Sequence, residues 1–180
     1  MSDRAPKRTR ALPLALLLTL SATASCSKPE AEAPPSPLEA APAFATRSLD
    51  GDAVSLADYA GQVVLLNTWA TWCEPCVREL PELARLHTAL QDKGFTVIGL
   101  NADVRSKLGA VRTMVVHHKL PFPIWLDFES QAQVTFKLRG YPTSFLIDRA
   151  GNIRWKREGE IQTNDAELGQ MLETVLAEPR

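Results

Sequence analysis

Two cysteines separated by two residues, Cys73-Glu74-Pro75-Cys76, are the side chains in this 180-residue chain best suited to chemistry. A C-x-x-C pair can open and close a disulfide or supply half of a zinc site, and with a histidine directly after it the pair can carry haem. Val77 follows Cys76, which excludes haem attachment. Zinc needs two further ligands, and apart from Cys26 the chain offers only His87, His117 and His118, of which the adjacent pair lacks ligand spacing. Dithiol–disulfide chemistry is therefore the expected activity, with no metal and no cofactor beyond the Cys73–Cys76 pair itself.

Position gives the pair its meaning. Val63 to Trp69 is apolar on successive residues, as in a central parallel strand covered on both faces. Val77, Leu80, Leu83, Leu86 and Leu90 recur every three or four residues, as in a helix that stops at Lys93-Gly94. The motif thus lies where a strand runs into a helix, with Cys73 at the N-cap, where free backbone N–H groups and the helix dipole favour a thiolate. Pro75 falls in the first turn, where its missing N–H costs nothing. Cys76 lies one turn in and is more enclosed, so Cys73 is expected to attack and Cys76 to resolve the mixed disulfide. Glu74 sets a negative charge beside Cys73, which opposes the thiolate and favours a reductant.

The remaining elements alternate. Phe44–Ser48 and Val54–Leu56 flank the turn Asp50-Gly51-Asp52 and predict a small hairpin. Thr96–Asn101, Phe122–Leu126, Thr143–Asp148 and Ile153–Arg157 read as strands. Leu108–His118 and Gln131–Leu138 read as helices, and a last helix starts near Asn164 with Glu167 completing a capping box. This order predicts an α/β fold with a central mixed sheet flanked by helices, an N-terminal hairpin and a terminal antiparallel hairpin.

The first 43 residues read differently. Arg4, Lys7, Arg8 and Arg10 precede a stretch, Ala11–Leu20, with six leucines, the pattern of an export signal over residues 1–25. Two processing routes are open: cleavage after Ala24 at an A-x-A site, or a lipobox that makes Cys26 the lipidated first residue. Lipidation is favoured, because an unpaired cysteine on an exported tail is a liability in an oxidising space. Residues 26–43 carry five prolines and predict a linker able to reach about 50 Å in extended form. The chain balances 20 basic against 21 acidic residues, which argues against a nucleic-acid partner. Its 45% apolar and 23% charged composition fits one folded domain over residues 44–180.

On these residues the chain resembles the thioredoxin superfamily, and within it the exported, membrane-tethered TlpA/ResA-like thiol-disulfide oxidoreductases. Pro81, five residues after Cys76, matches the proline that kinks the active-site helix in such folds. Gly140-Tyr141-Pro142-Thr143 resembles the cis-proline loop that faces the dithiol, and the segment between Asn101 and Pro142 is longer than a minimal thioredoxin needs. The resemblance implies a cis Pro142 and substrate contacts from Trp72, Pro75, Tyr141 and Thr143. It places Asn67 where thioredoxins carry a buried aspartate, so another acid must assist Cys76. Asp103 is the candidate by position, with Glu129 a poorer one. Peroxiredoxins carry a threonine and a proline where this chain has Ala70 and Leu66, and a non-catalytic adaptor would not need an intact dithiol. The implied protein is a monomer on the periplasmic side of a bacterial envelope, lipid-anchored. Its implied partners are cysteine-containing exported proteins, apocytochrome c among them, and a membrane dithiol donor.

Overall fold

The computed structural model describes residues 39–179. The expected signal, Cys26 and the linker up to residue 38 lie outside the described residues. Strand β4 (Val63–Trp69) is buried at every position because it has neighbours on both edges and layers on both faces. On one edge it pairs in parallel with β5 (Phe95–Asn101), and on the other it pairs antiparallel with β7 (Thr143–Ile147).

Outside β5 comes parallel β6 (Ile124–Leu126), then the hairpin of β2 (Ala45–Ser48) and β3 (Ala53–Ser55). Outside β7 comes β8 (Asn152–Glu158), then the two-residue β1 (Glu39–Ala40). Among the described residues the sheet order is β1-β8-β7-β4-β5-β6-β2-β3, a mixed sheet of the kind expected.

Successive β4 residues divide between two cores, which is why the strand is apolar at every position except Asn67 and Thr68. Val63, Leu65 and Trp69 join Leu80, Leu83 and Leu86 of α1 (Glu74–Leu90), Val111 of α2 (Leu108–His117), and Leu168, Leu172 and Val175 of α4 (Ala166–Ala177). Val64 and Leu66 join Trp125, Phe136, Phe145 and Ala132 of the short α3 (Gln131–Thr135). Helix α1 continues through Pro81, whose ring faces solvent, and after a 3-10 turn the chain leaves through Gly94 at φ +76°, a left-handed exit that glycine adopts without steric cost.

Three details differ from the sequence reading. The folded region begins before Phe44: Glu39 and Ala40 pair with Ile153 and Asn152, so the last residues assigned to the linker extend the sheet. Helix α3 stops at Thr135, because Lys137 turns left-handed and the Lys137 and Leu138 N–H groups fold back onto the Val134 and Gln133 carbonyls. The cap of α4 is Asp165, whose carboxylate accepts the Leu168 N–H at 3.0 Å. Asn164 is left-handed and outside the helix, while Glu167 pairs with Arg157 at 2.7 Å, so the expected Asn164–Glu167 capping box does not form.

Gly99, at the middle of β5, is required by space. A Cβ there would stand 2.9 Å from Ile124 Cδ1, 3.0 Å from Phe122 Cε2 and 3.1 Å from Trp69 Nε1. Gly99→Ala is expected to overpack this core and lower stability by about 1–3 kcal/mol, read as a shifted urea midpoint at unchanged slope.

Candidate active site

The backbone leaves β4 at Trp69 and turns through Ala70–Cys73, closed by the Cys73 N–H on the Ala70 carbonyl at 3.1 Å. Cys73 is the N-cap of α1 in extended geometry, and its Sγ accepts the Cys76 N–H at 3.3 Å. Cys73 and Cys76 form a disulfide with Cα atoms 5.2 Å apart. Cys73 retains 5% exposure and Cys76 none, the order expected of an attacking and a resolving thiol. Pro75 occupies the first turn, as predicted.

The Tyr141–Pro142 peptide bond is cis. Two contacts hold its loop to the sheet. The Pro142 carbonyl accepts the Gly159 N–H at 2.9 Å, and the Thr68 hydroxyl on β4 both accepts the Thr143 N–H and donates to the Thr143 carbonyl. Among the described residues no hydrogen bond engages the Tyr141 backbone, so its N–H and C=O stay open to an incoming strand. Trp72 is 67% exposed and packs edge-on against Tyr141 with ring centroids 5.9 Å apart, forming an apolar rim beside Cys73. Thr143 differs from its expected substrate-binding place: it is fully buried, and its hydroxyl donates to the Gly140 carbonyl at 2.8 Å. It shapes the loop from beneath.

Asp103 is buried and committed to three donors. Its Oδ2 accepts the Thr71 N–H at 2.7 Å and the Asn101 amide at 2.9 Å, and its Oδ1 accepts the Thr71 hydroxyl at 2.8 Å. The carboxylate therefore braces the turn that carries Trp72 and Cys73 against the end of β5. Glu129 lines a surface cleft with Arg47 and Arg105.

The buried acid next to the dithiol is Glu79. It stands three residues after Cys76 on α1, a spacing that brings side chains together on one helix face. Its Oε1 accepts the Asn67 amide and its Oε2 the Ile161 N–H, each at 2.7 Å. Burial pushes its pKa up to about 7, against these two hydrogen bonds, which favour the carboxylate. The sequence carried a signal for it: Glu79 interrupts the buried stripe of Cys76, Leu80, Leu83 and Leu86 with a charge.

Glu74 lies outside this environment. Its side chain is 87% exposed and pairs at 3.0 Å with Arg78, which also binds Glu160 at 2.7 Å. Solvation and the pairing with Arg78 both screen the Glu74 charge. His87, one of the three candidate zinc ligands, is buried with its Nδ1 accepting the Val97 N–H at 3.2 Å.

Comparison with known proteins agrees with this geometry. The profile of the AhpC/TSA family matches residues 37–156. The thiol-disulfide oxidoreductase ResA of Bacillus thuringiensis subsp. konkukian is 37% identical over 120 residues, 67% of this chain and 68% of that protein. Among solved structures, a thiol:disulfide interchange protein of Chlorobium tepidum superposes with a TM-score of 0.67 at 25% identity, covering 79% of this chain and 99% of that one. The thioredoxin domain of a thiol-disulfide oxidoreductase from Bacteroides vulgatus gives 0.66 at 27% identity, over 76% and 96%. With a disulfide at the start of α1 opposite a cis-proline loop, the chain belongs to the AhpC/TSA family and is a ResA-like thiol-disulfide oxidoreductase.

Proposed function

We propose that this oxidoreductase works as a reductase of cysteine-bearing exported proteins, apocytochrome c among them, from a tether at Cys26 on the periplasmic side of a bacterial envelope. The observation that carries the reading is the Cys73–Cys76 pair at a helix N-terminus, flanked by exposed Trp72 and by the unengaged backbone of Tyr141. An extended substrate segment pairs with Tyr141 and packs on Trp72, which brings its disulfide to Cys73.

In the reduced enzyme the Cys73 thiolate attacks one substrate sulfur. A mixed disulfide forms, and the other substrate sulfur leaves as a thiolate that takes up a proton. The Cys76 thiol gives its proton to the Glu79 carboxylate and attacks Cys73 Sγ. The second substrate thiolate is released and takes that proton from Glu79. Two electrons have moved to the substrate, and a membrane dithiol donor returns two to the Cys73–Cys76 disulfide. Glu79 also supports the direction: a buried negative charge near the dithiol disfavours thiolate and stabilises the oxidised form, the task first assigned to Glu74.

Trapping tests the roles of the sulfurs. Cys76→Ser is expected to accumulate a mixed disulfide with a cysteine-bearing substrate, and Cys73→Ser to form none. Retained turnover in Cys73→Ser would overturn the assignment. Glu79→Gln is expected to slow substrate release by roughly 10²-fold at neutral pH, the lower end of what a positioned proton acceptor contributes.

Glu79 also makes stability depend on pH. Its carboxyl has a higher pKa folded, about 7, than its ordinary 4.5, so between these values the native state holds a proton that the unfolded chain has released. Stability is then lost as pH rises through this window, by about 3 kcal/mol at about 1.36 kcal/mol per pH unit. In Glu79→Gln that decline should vanish, which urea denaturation of the oxidised protein at pH 4 and pH 8 measures.

Asp103 separates from Glu79 in the same experiments. An asparagine at 103 can accept the Thr71 N–H and donate to the Thr71 hydroxyl, so Asp103→Asn is expected to keep the pH profile of turnover. Asp103→Ala strands buried donors and should cost about 1–3 kcal/mol of stability.

A further inference from the structure

Asn67 occupies an odd place. Along β4 it shares a face with Val63, Leu65 and Trp69, whose side chains pack against α1, and it is fully buried there. Its amide spends both protons, one on Glu79 Oε1 at 2.7 Å and one on Ser144 Oγ at 2.9 Å. Its Oδ1 has no partner at all. A buried unpaired carbonyl oxygen is costly, and an amide can turn over to trade donor for acceptor. The orientation found serves an acceptor at position 79. The reverse orientation would set Oδ1 against a carboxylate oxygen.

Ser144 is the residue directly across from Asn67 on β7, two residues after the cis Pro142. Asn67 therefore joins the acid on α1 to the strand that carries the cis-proline loop. We propose that Asn67 is a positioning residue: its amide fixes the Glu79 carboxylate one turn from Cys76, and through Ser144 it ties that carboxylate to the base of the substrate-docking loop. The proposal rests on the reading of Glu79 as the proton acceptor for Cys76.

The groups facing Glu79 are few, so an effect of Asn67 can be isolated. Asn67 approaches from β4, and the Ile161 N–H comes from the loop after β8. The neighbouring charge of Glu160 from the same loop raises the Glu79 pKa, and Glu160 is itself paired with Arg78. Cys76 stands one turn back on α1. A protonated Glu79 can be met by a turned-over Asn67, whose Oδ1 then accepts the new O–H. One amide thus serves both protonation states of the acid.

The test follows the Glu79 carboxyl directly, by 13C NMR titration of the oxidised protein, with its resonance identified by its absence in Glu79→Gln. Asn67→Ala is expected to raise the midpoint by about one to two pH units, a roughly ten- to hundredfold gain in proton affinity, because the carboxylate loses a charge-assisted hydrogen bond. Ser144→Ala keeps the amide but removes its second anchor and should shift the midpoint the same way by less; should Asn67→Ala not fold, this variant decides alone. The pH profile of substrate release should move with the titration. A midpoint unmoved in both folded variants overturns the proposal for Asn67. A release profile unchanged in Glu79→Gln instead overturns the underlying role of Glu79, whatever the titrations of the other two variants show.

Discussion

The pairing of β4 with a parallel strand on one edge and an antiparallel strand on the other is the constraint on which the reactive end depends. From β5 the parallel edge delivers Asn101, whose amide holds Asp103, and Asp103 in turn seizes the turn just before Cys73. From β7 the antiparallel edge delivers Ser144, Thr143 and the cis Pro142. β4 itself ends in Trp69, and its chain runs straight into the N-cap of α1. Dithiol, brace and docking loop converge because three adjacent strands bring them to the same end of the sheet.

Three carboxylates near the motif then diverge by environment alone. Glu74 is solvated and matched by Arg78, so its charge is spent at the surface. Asp103 is buried with three donors on its two oxygens, which makes it a fixed structural brace. Glu79 is buried with one donor on each oxygen, and its desolvation outweighs them, so it alone is poised to exchange a proton near neutrality. Sequence distance from the cysteines ranks these residues differently from burial: the acid between the two sulfurs is the most exposed of the three.

Much of this arrangement was legible in the chain. The apolar run that opens β4, the helix stripe ending at Gly94 and the proline at the first turn of α1 are local signals, and each led to the observed element. The cis Pro142 was read through a family resemblance, not from residue physics. Glu79 was missed because one acid on an apolar stripe declares itself only when a partner is known, and Asn67 lies 12 positions away on another strand. Asp103 is in the sequence reading, but its contact with Thr71 spans 32 positions and has no local signature. The cap of α4 slipped by one residue because Asn164 and Asp165 are both competent caps, and only the left-handed turn at Asn164 chooses between them.

The outermost strand beside β2 has a consequence of its own. β3, three residues long, is the last member of the sheet on that side among the described residues. A strand this short offers a passing polypeptide almost no row of free N–H and C=O groups on which to grow. On the proposed reading, in which extended chains pair at Tyr141, a longer edge here would recruit the same chains, and association there leads to aggregation and not to turnover. By ending this side of the sheet in a stub, the fold favours strand addition where it meets sulfur.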